Sequence, residues 1–299
     1  MSSAAVDVAL ARERRRALDF LALTRPRVVL MVLVTTVVGY HLGSAGATDY
    51  PRLLHTLIGT ALAAAGTLTL NQFLERQVDA LMERTRTRPL PDGRLQPIEA
   101  LVFGVAITAA GVLHLTAAVG LLPGLVTAAT IGLYLLAYTP LKLRTPLCAV
   151  VGAIPGALPP VTGWVAARGE LGIEAWVLFA ILFLWQLPHT LAIARLYRED
   201  YARAGIRVLP VVDREGSSTE RQIVAGCLAL LAAGLLPTLV GLTGTVYFFG
   251  ALALGAGFLA CGMAQAVSRS VPAARRLLFA SLLYLPGLLA LMAIDKAQF

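Results

Sequence analysis

Asn71, Glu75 and Asp79 recur at four-residue intervals, and Arg84 and Arg88 follow at the same spacing. On an α-helix, residues i, i+4 and i+8 stack on one face, about 6 Å apart per step. One carboxamide and two carboxylates in a row offer the hard oxygen ligands that Mg²⁺ takes, with the ion bridging carboxylate to phosphate. Guanidinium forks suit the remaining oxygens. The pattern therefore points to a metal–diphosphate site. Arginines alone would equally suit an interfacial loop meeting anionic lipid headgroups. The carboxylates favour chemistry, because they continue directly out of the apolar run Leu53 to Leu70, where charge is costly unless it is used.

A second polar stretch, Arg195 to Gly205, offers Asp200 as a second metal position and Tyr197 and Arg198 as phosphate contacts. Its plain alternative is a solvated loop with local ion pairs. Lys142, in the short stretch Tyr138 to Thr145, is either a point charge on phosphate or a topology-setting cation. His189 follows Pro188 late in an apolar run, where the proline frees a carbonyl and kinks the helix. Such a histidine can ligate an iron, donate a proton or bond a neighbouring backbone, the last being the default. His41, His55 and His114 read as structural. The run Gly152 to Pro160, with Gly163 and Trp164, implies either a wide intramembrane cavity or tight helix packing.

The elements that carry these residues follow from composition. Of 299 residues, 58% are hydrophobic and only 14% charged, well below the quarter or so usual in soluble domains. With about 20 apolar residues needed per crossing, nine spans are expected, near residues 28–45, 53–74, 98–117, 121–139, 147–166, 173–194, 222–243, 247–268 and 275–294. Residues 1–27 form a cytoplasmic N-terminal segment and 28–294 a single transmembrane domain. The fold class is all-α, nine helices bundled around a central cavity capped by cytoplasmic loops.

The net charge of +8 is not a nucleic-acid footprint, since the basic residues sit in short loops between apolar runs. Of the 25 Lys and Arg, 22 fall on one side of the expected topology. Only Arg52, Arg168 and Lys296 fall on the other, which puts the N-terminus in the cytoplasm and the C-terminus outside. Cys148, Cys227 and Cys261 are isolated in apolar runs and read as small buried hydrophobes.

Taken together the motifs resemble those of the UbiA-type intramembrane prenyltransferases, and within them the branch that prenylates heme. The resemblance covers about residues 18–295. It rests on Thr24-Arg25-Pro26-Arg27, Asn71 through Gly93, Tyr138-Thr139-Pro140-Leu141-Lys142, Gly156-Ala157-Leu158-Pro159-Pro160, Trp185-Gln186-Leu187-Pro188-His189 and Tyr197-Arg198-Glu199-Asp200-Tyr201. Departures include Glu75 where many relatives carry Asp, and Ala204 in the second place of an Asp-x-x-x-Asp motif.

The resemblance implies transfer of farnesyl from farnesyl diphosphate to a vinyl group of heme b with addition of water. It implies Mg²⁺ held by Asn71, Glu75, Asp79 and Asp200, with Glu75, Asp79 and Asp200 essential to turnover. Arg84, Arg88, Lys142, Arg198 and Tyr197 would take diphosphate, and His189, Trp185 and Arg25 the acceptor. It also implies a place in the plasma or inner membrane, and contact with a heme-oxidase assembly or heme A synthase. Aromatic faces that could shelter an allylic cation are Phe73, Tyr138, Trp164 and Phe183. The rivals are a related enzyme with another acceptor, such as a quinone-precursor aromatic acid or a chlorophyll-type ring, and a transporter. A transporter would more often place its charges near mid-membrane.

Overall fold

The computed structural model describes residues 3–213 and 215–297. Arg214 of the sixth loop, residues 1–2 and the side chain of Arg12 lie outside the described residues.

Among the described residues, nine helices are long and apolar enough to cross a membrane. They begin with α2 (Pro26–Gly43), α3 (Tyr50–Asp79) and α4 (Pro97–Ala118). The fourth span is composite, with α5 (Leu121–Gly132), a π-helical turn at Leu133–Tyr138 and the short α6 (Thr139–Leu141). The fifth is broken at Leu158 into α7 (Cys148–Ala157) and α8 (Pro159–Arg168), because Pro159 and Pro160 cannot donate to the preceding turn. The remaining spans are α9 (Ile173–Leu196), α12 (Ser217–Leu239), α13 (Thr245–Ser268) and α14 (Val271–Ile294). Two short helices, α10 (Arg198–Arg203) and α11 (Leu209–Val212), lie in the loop after α9.

Local chemistry sets several helix starts. Asp49 accepts from the Arg52 backbone N–H at 3.0 Å to open α3. Gln96 and Glu99 form a reciprocal capping box at α4, with Pro97 in the first turn. The spans fall close to where the apolar runs place them; α12 starts five residues before the expected 222, and two further differences bear on the site. Helix α3 runs on to Asp79, five residues past the expected end at 74, so the acidic ladder is helical throughout. The N-terminal segment carries a helix of its own, α1 (Ser3–Leu23), docked by ion pairs from Asp19 to Arg94 and from Arg16 to Glu99.

Glycines let the spans approach closely. A Cβ at Gly66 would run into Thr108 across α3 and α4, and one at Gly163 would run into the Thr36 carbonyl across α8 and α2. The main core lies among α2, α8, α9, α12, α13 and α14, around Trp164, Ile181, Leu230, Tyr247 and Leu288. Cys148 and Cys227 are buried and Cys261 half-buried, and none is paired in a disulfide.

Candidate active site

Helix α3 does present Asn71, Glu75 and Asp79 along one face, and each meets a different environment. Asn71 is fully buried, and its amide donates to Thr139 Oγ1 at 3.1 Å. Thr139 commits its own proton to the Tyr134 carbonyl at 2.9 Å, across the π-helical turn. Its oxygen is therefore the acceptor, which fixes the orientation of the carboxamide and leaves Asn71 Oδ1 without a partner. One turn on, Glu75 Oε1 lies 2.6 Å from Lys142 Nζ, which sits 4.4 Å above the Tyr138 ring. One turn further, the almost fully buried Asp79 carboxylate pairs with Arg88 at 2.6 Å. The Asp79 carbonyl accepts from Thr85 Oγ1 at 2.7 Å, which folds the loop back over the end of the helix.

Burial and the charge of Arg25 pull Arg88 below the ordinary arginine value, with Asp79 opposing both. At Lys142 burial also works against the charge, but Tyr138 and Glu75 more than offset it and hold the ammonium above its usual value.

The two polar loops meet at one end of the bundle. Arg84 of the first lies over the Tyr197 ring at 5.0 Å and the Tyr201 ring at 5.9 Å, and donates to the Tyr201 hydroxyl at 3.4 Å. Beneath them Met82 packs in a small core with Cys148, Ala194, Ala204, Ile206 and Val208. The Arg207 N–H donates to the Lys142 carbonyl at 2.8 Å, tying the α6 end to the second loop. Asp200 sits in the first turn of α10, 3.2 Å from Arg203, and Arg198 is the first residue of that helix.

Below this polar end lies an apolar cavity of roughly 480 Å³. Its wall is built from α2, α3, the fourth span, α7, the start of α8, α9 and α14, and includes Tyr134, Tyr138, Gly152, Gly156, Trp185, Gln186 and His189. The glycine–proline run thus serves both purposes left open by its sequence: Gly152 and Gly156 line the cavity, while Gly163 makes tight helix packing. Of the four aromatic residues considered as cation shelters, Tyr138 lines the cavity. Trp164 is in the main core, Phe183 packs against it, and Phe73 lies beneath Arg76. Arg25 caps α2 in a left-handed conformation, φ 49°, close enough to Arg88 to affect it, and does not line the cavity. Residue type alone does not point to Thr139, Tyr134 or Gln186; in the sequence, Thr139 is marked only by its place beside Lys142, and Gln186 by its place in the Trp185–His189 block.

Among the described residues, no three His, Cys, Asp or Glu side chains gather closely enough to hold a metal by themselves. Glu75, Asp79 and Asp200 are thus not drawn together into one cluster; they pair instead with Lys142, Arg88 and Arg203. The residues fit a Mg²⁺ ion: the donors are hard oxygens on one helical face, and the buried Asn71 Oδ1 lacks a partner.

Comparison with known proteins gives a consistent picture. Residues 32–284 match the model of the UbiA prenyltransferase family. A protein named protoheme IX farnesyltransferase from Solibacter usitatus (strain Ellin6076) is 50% identical over 287 residues, spanning 93% of this chain and 98% of that protein. The fold resembles that of a digeranylgeranylglyceryl phosphate synthase in membranes, with TM-score 0.80, 14% identity, and 94% of this chain and 98% of that one covered. It also resembles a UbiA homolog from Archaeoglobus fulgidus bound to GPP and Mg²⁺, with TM-score 0.65, 18% identity, and 92% and 99% coverage.

Proposed function

Because this chain belongs to the UbiA prenyltransferase family and is a multi-pass membrane enzyme, we propose that it transfers farnesyl from farnesyl diphosphate to a vinyl group of heme b. Water is added in the same reaction, giving a hydroxyethylfarnesyl heme, heme O. The observation that carries this reading is Tyr138. Its ring is at once a wall of the apolar cavity and the support for Lys142, which pairs with Glu75 of the oxygen ladder. A charged cradle and a greasy chamber thus share one residue.

In this reading Asn71, Glu75 and Asp79, with Asp200 brought in from the facing loop, would hold Mg²⁺. The ion would neutralise the diphosphate and make it a competent leaving group. Lys142 and Arg88 turn from their carboxylates to phosphate oxygens, and Arg84, Arg198 and Tyr197 close over the same group. The C1–O bond of farnesyl diphosphate breaks, and its electron pair leaves with the diphosphate. The vinyl C=C then attacks C1, forming the new C–C bond. Water adds to the resulting cation beside the porphyrin and loses a proton. The apolar wall keeps water from the first cation, and Tyr138 offers it an aromatic face. His189 and Trp185 face the acceptor in the cavity, and Arg25 stands at the cytoplasmic end.

Residues 28–294 act as one catalytic domain behind the segment 1–27. The membrane is the plasma or inner membrane, with the N-terminus cytoplasmic, the C-terminus outside, and a heme A synthase or heme-oxidase assembly as recipient. The test incubates purified protein with heme b, farnesyl diphosphate and Mg²⁺ and reads porphyrin masses. The expected product is heavier by a farnesyl group plus water. Prenylation of a hydroxybenzoate with no new heme species would overturn the acceptor assignment.

A further inference from the structure

His189 projects into the cavity from α9 and is held from two directions. Trp185, one turn earlier, stacks on it with ring centroids 4.6 Å apart and planes 20° from parallel. Ser281 of α14 meets the other side, with its Oγ 2.7 Å from His189 Nδ1. The same Oγ lies 2.6 Å from the Leu278 carbonyl, which can only accept, so the Ser281 proton is committed there. In that arrangement Ser281 Oγ must accept from Nδ1, so the ring carries its proton on Nδ1. A neutral imidazole protonated at Nδ1 has its lone pair on Nε2, and Nε2 has no protein partner among the described residues, while the ring lines the cavity. Ser281 also fixes the stacking partner, because its backbone carbonyl accepts from Trp185 Nε1 at 2.9 Å.

We propose that Ser281 is a positioning residue: it sets the His189 tautomer and ring angle so that Nε2 presents a lone pair to the iron of a heme-type acceptor. The proposal rests on the heme reading above and adds a residue to it. A histidine that donates its second N–H to a fixed acceptor is a more basic and better oriented metal ligand, and losing that acceptor typically costs about 10- to 100-fold in affinity. Without the Ser281 hydroxyl the ring is free to carry its proton on Nε2, where it cannot ligate.

The probes are ferric heme b and iron-free protoporphyrin IX, titrated separately into purified full-length protein. Ser281→Ala should weaken heme b binding about 10- to 100-fold while leaving protoporphyrin IX binding unchanged, and should lower the iron–histidine stretching frequency of the ferrous complex. Ser281→Thr retains the hydroxyl and should restore both, which separates loss of the hydrogen bond from loss of folding. His189→Gln is the reference. If it weakens heme b selectively and Ser281→Ala does not, the Ser281 assignment is overturned and the heme reading stands. If Ser281→Ala weakens both porphyrins equally, its role is cavity shape and the proposal fails. If His189→Gln has no iron-dependent effect, His189 is not the ligand and the proposal also fails, while the product assay above judges the reaction separately.

Discussion

Lys142→Met is the most informative perturbation of the polar end. In the structure Lys142 Nζ lies 2.6 Å from Glu75 Oε1, with only 16% and 14% of the two side chains exposed. Breaking a buried pair by removing one partner strands the other charge and costs about 3–5 kcal/mol. The residual exposure of both groups puts this case near 3 kcal/mol. On the proposed reading the same residue also supplies fixed positive charge to the departing diphosphate, where one preorganised donor is worth about 10²–10³ in kcat. Lys142→Met should therefore lower both thermal stability without ligand and turnover. The double variant Glu75→Gln with Lys142→Met isolates the stability effect. With both charges gone, most of the stability should return, while turnover stays low because Glu75 is itself a proposed metal ligand. Thermal unfolding in detergent and the farnesyl-transfer assay read the two quantities. Near-normal turnover by Lys142→Met itself would refute the reasoning, because Lys142 would then only balance Glu75. The pairing should also be insensitive to alkali. A lysine held above its ordinary value contributes stability that is complete below that value and is lost only as pH rises through the still higher one. The stability gap between wild type and Lys142→Met should accordingly stay constant from neutral into mildly alkaline pH.

Other variants test the remaining parts. Asp79→Asn and Asp200→Ala should each abolish farnesyl transfer while the protein remains inserted and folded; near-normal transfer by purified Asp79→Asn would remove that residue from the metal site. Arg84→Lys keeps the charge but loses the flat stack on Tyr197 and Tyr201, so KM for farnesyl diphosphate should rise several-fold with little change in unfolding temperature. A Cβ at Gly156 would run into Gln186 Oε1 on the cavity wall, so Gly156→Ala should raise KM for the porphyrin and leave that for farnesyl diphosphate unchanged. A Cβ at Gly163 would meet the Thr36 carbonyl, and overpacking of this kind costs about 1–3 kcal/mol. Gly163→Ala should lower the unfolding temperature without a selective effect on either substrate.

The spans were legible because hydropathy over twenty residues is a local signal, and the acidic ladder because three side chains on one helix are fixed by helical spacing alone. What the residues could not convey are relations between distant segments. Glu75 and Lys142 pair across two loops and Arg84 reaches Tyr201 across the chain, and neither contact has a spacing to read. The glycine–proline run likewise suggests cavity or close packing without dividing them, and Gly163 is assigned to packing only once the Thr36 carbonyl lies opposite it. Helix α1 is not legible in its arginine-rich sequence because the groups that anchor it, Asp19 to Arg94 and Phe20 to Phe103, meet partners far along the chain. Ser281 lay hidden among the apolar residues of α14, where a lone hydroxyl suggests nothing until His189 is placed beside it.

The widened turn at Leu133–Tyr138 carries a vulnerability of its own. A π-helical turn holds one residue more than an α-helical one, and each residue of an α-helix subtends about 100°. Were these same residues wound as an ordinary α-helix, with none removed, everything downstream would swing by roughly that angle. The ammonium would leave its glutamate and the tyrosine its place in the chamber, though no polar or aromatic side chain had been altered. A change that tightened this largely hydrophobic stretch would thus silence the enzyme as surely as substitutions at charged positions.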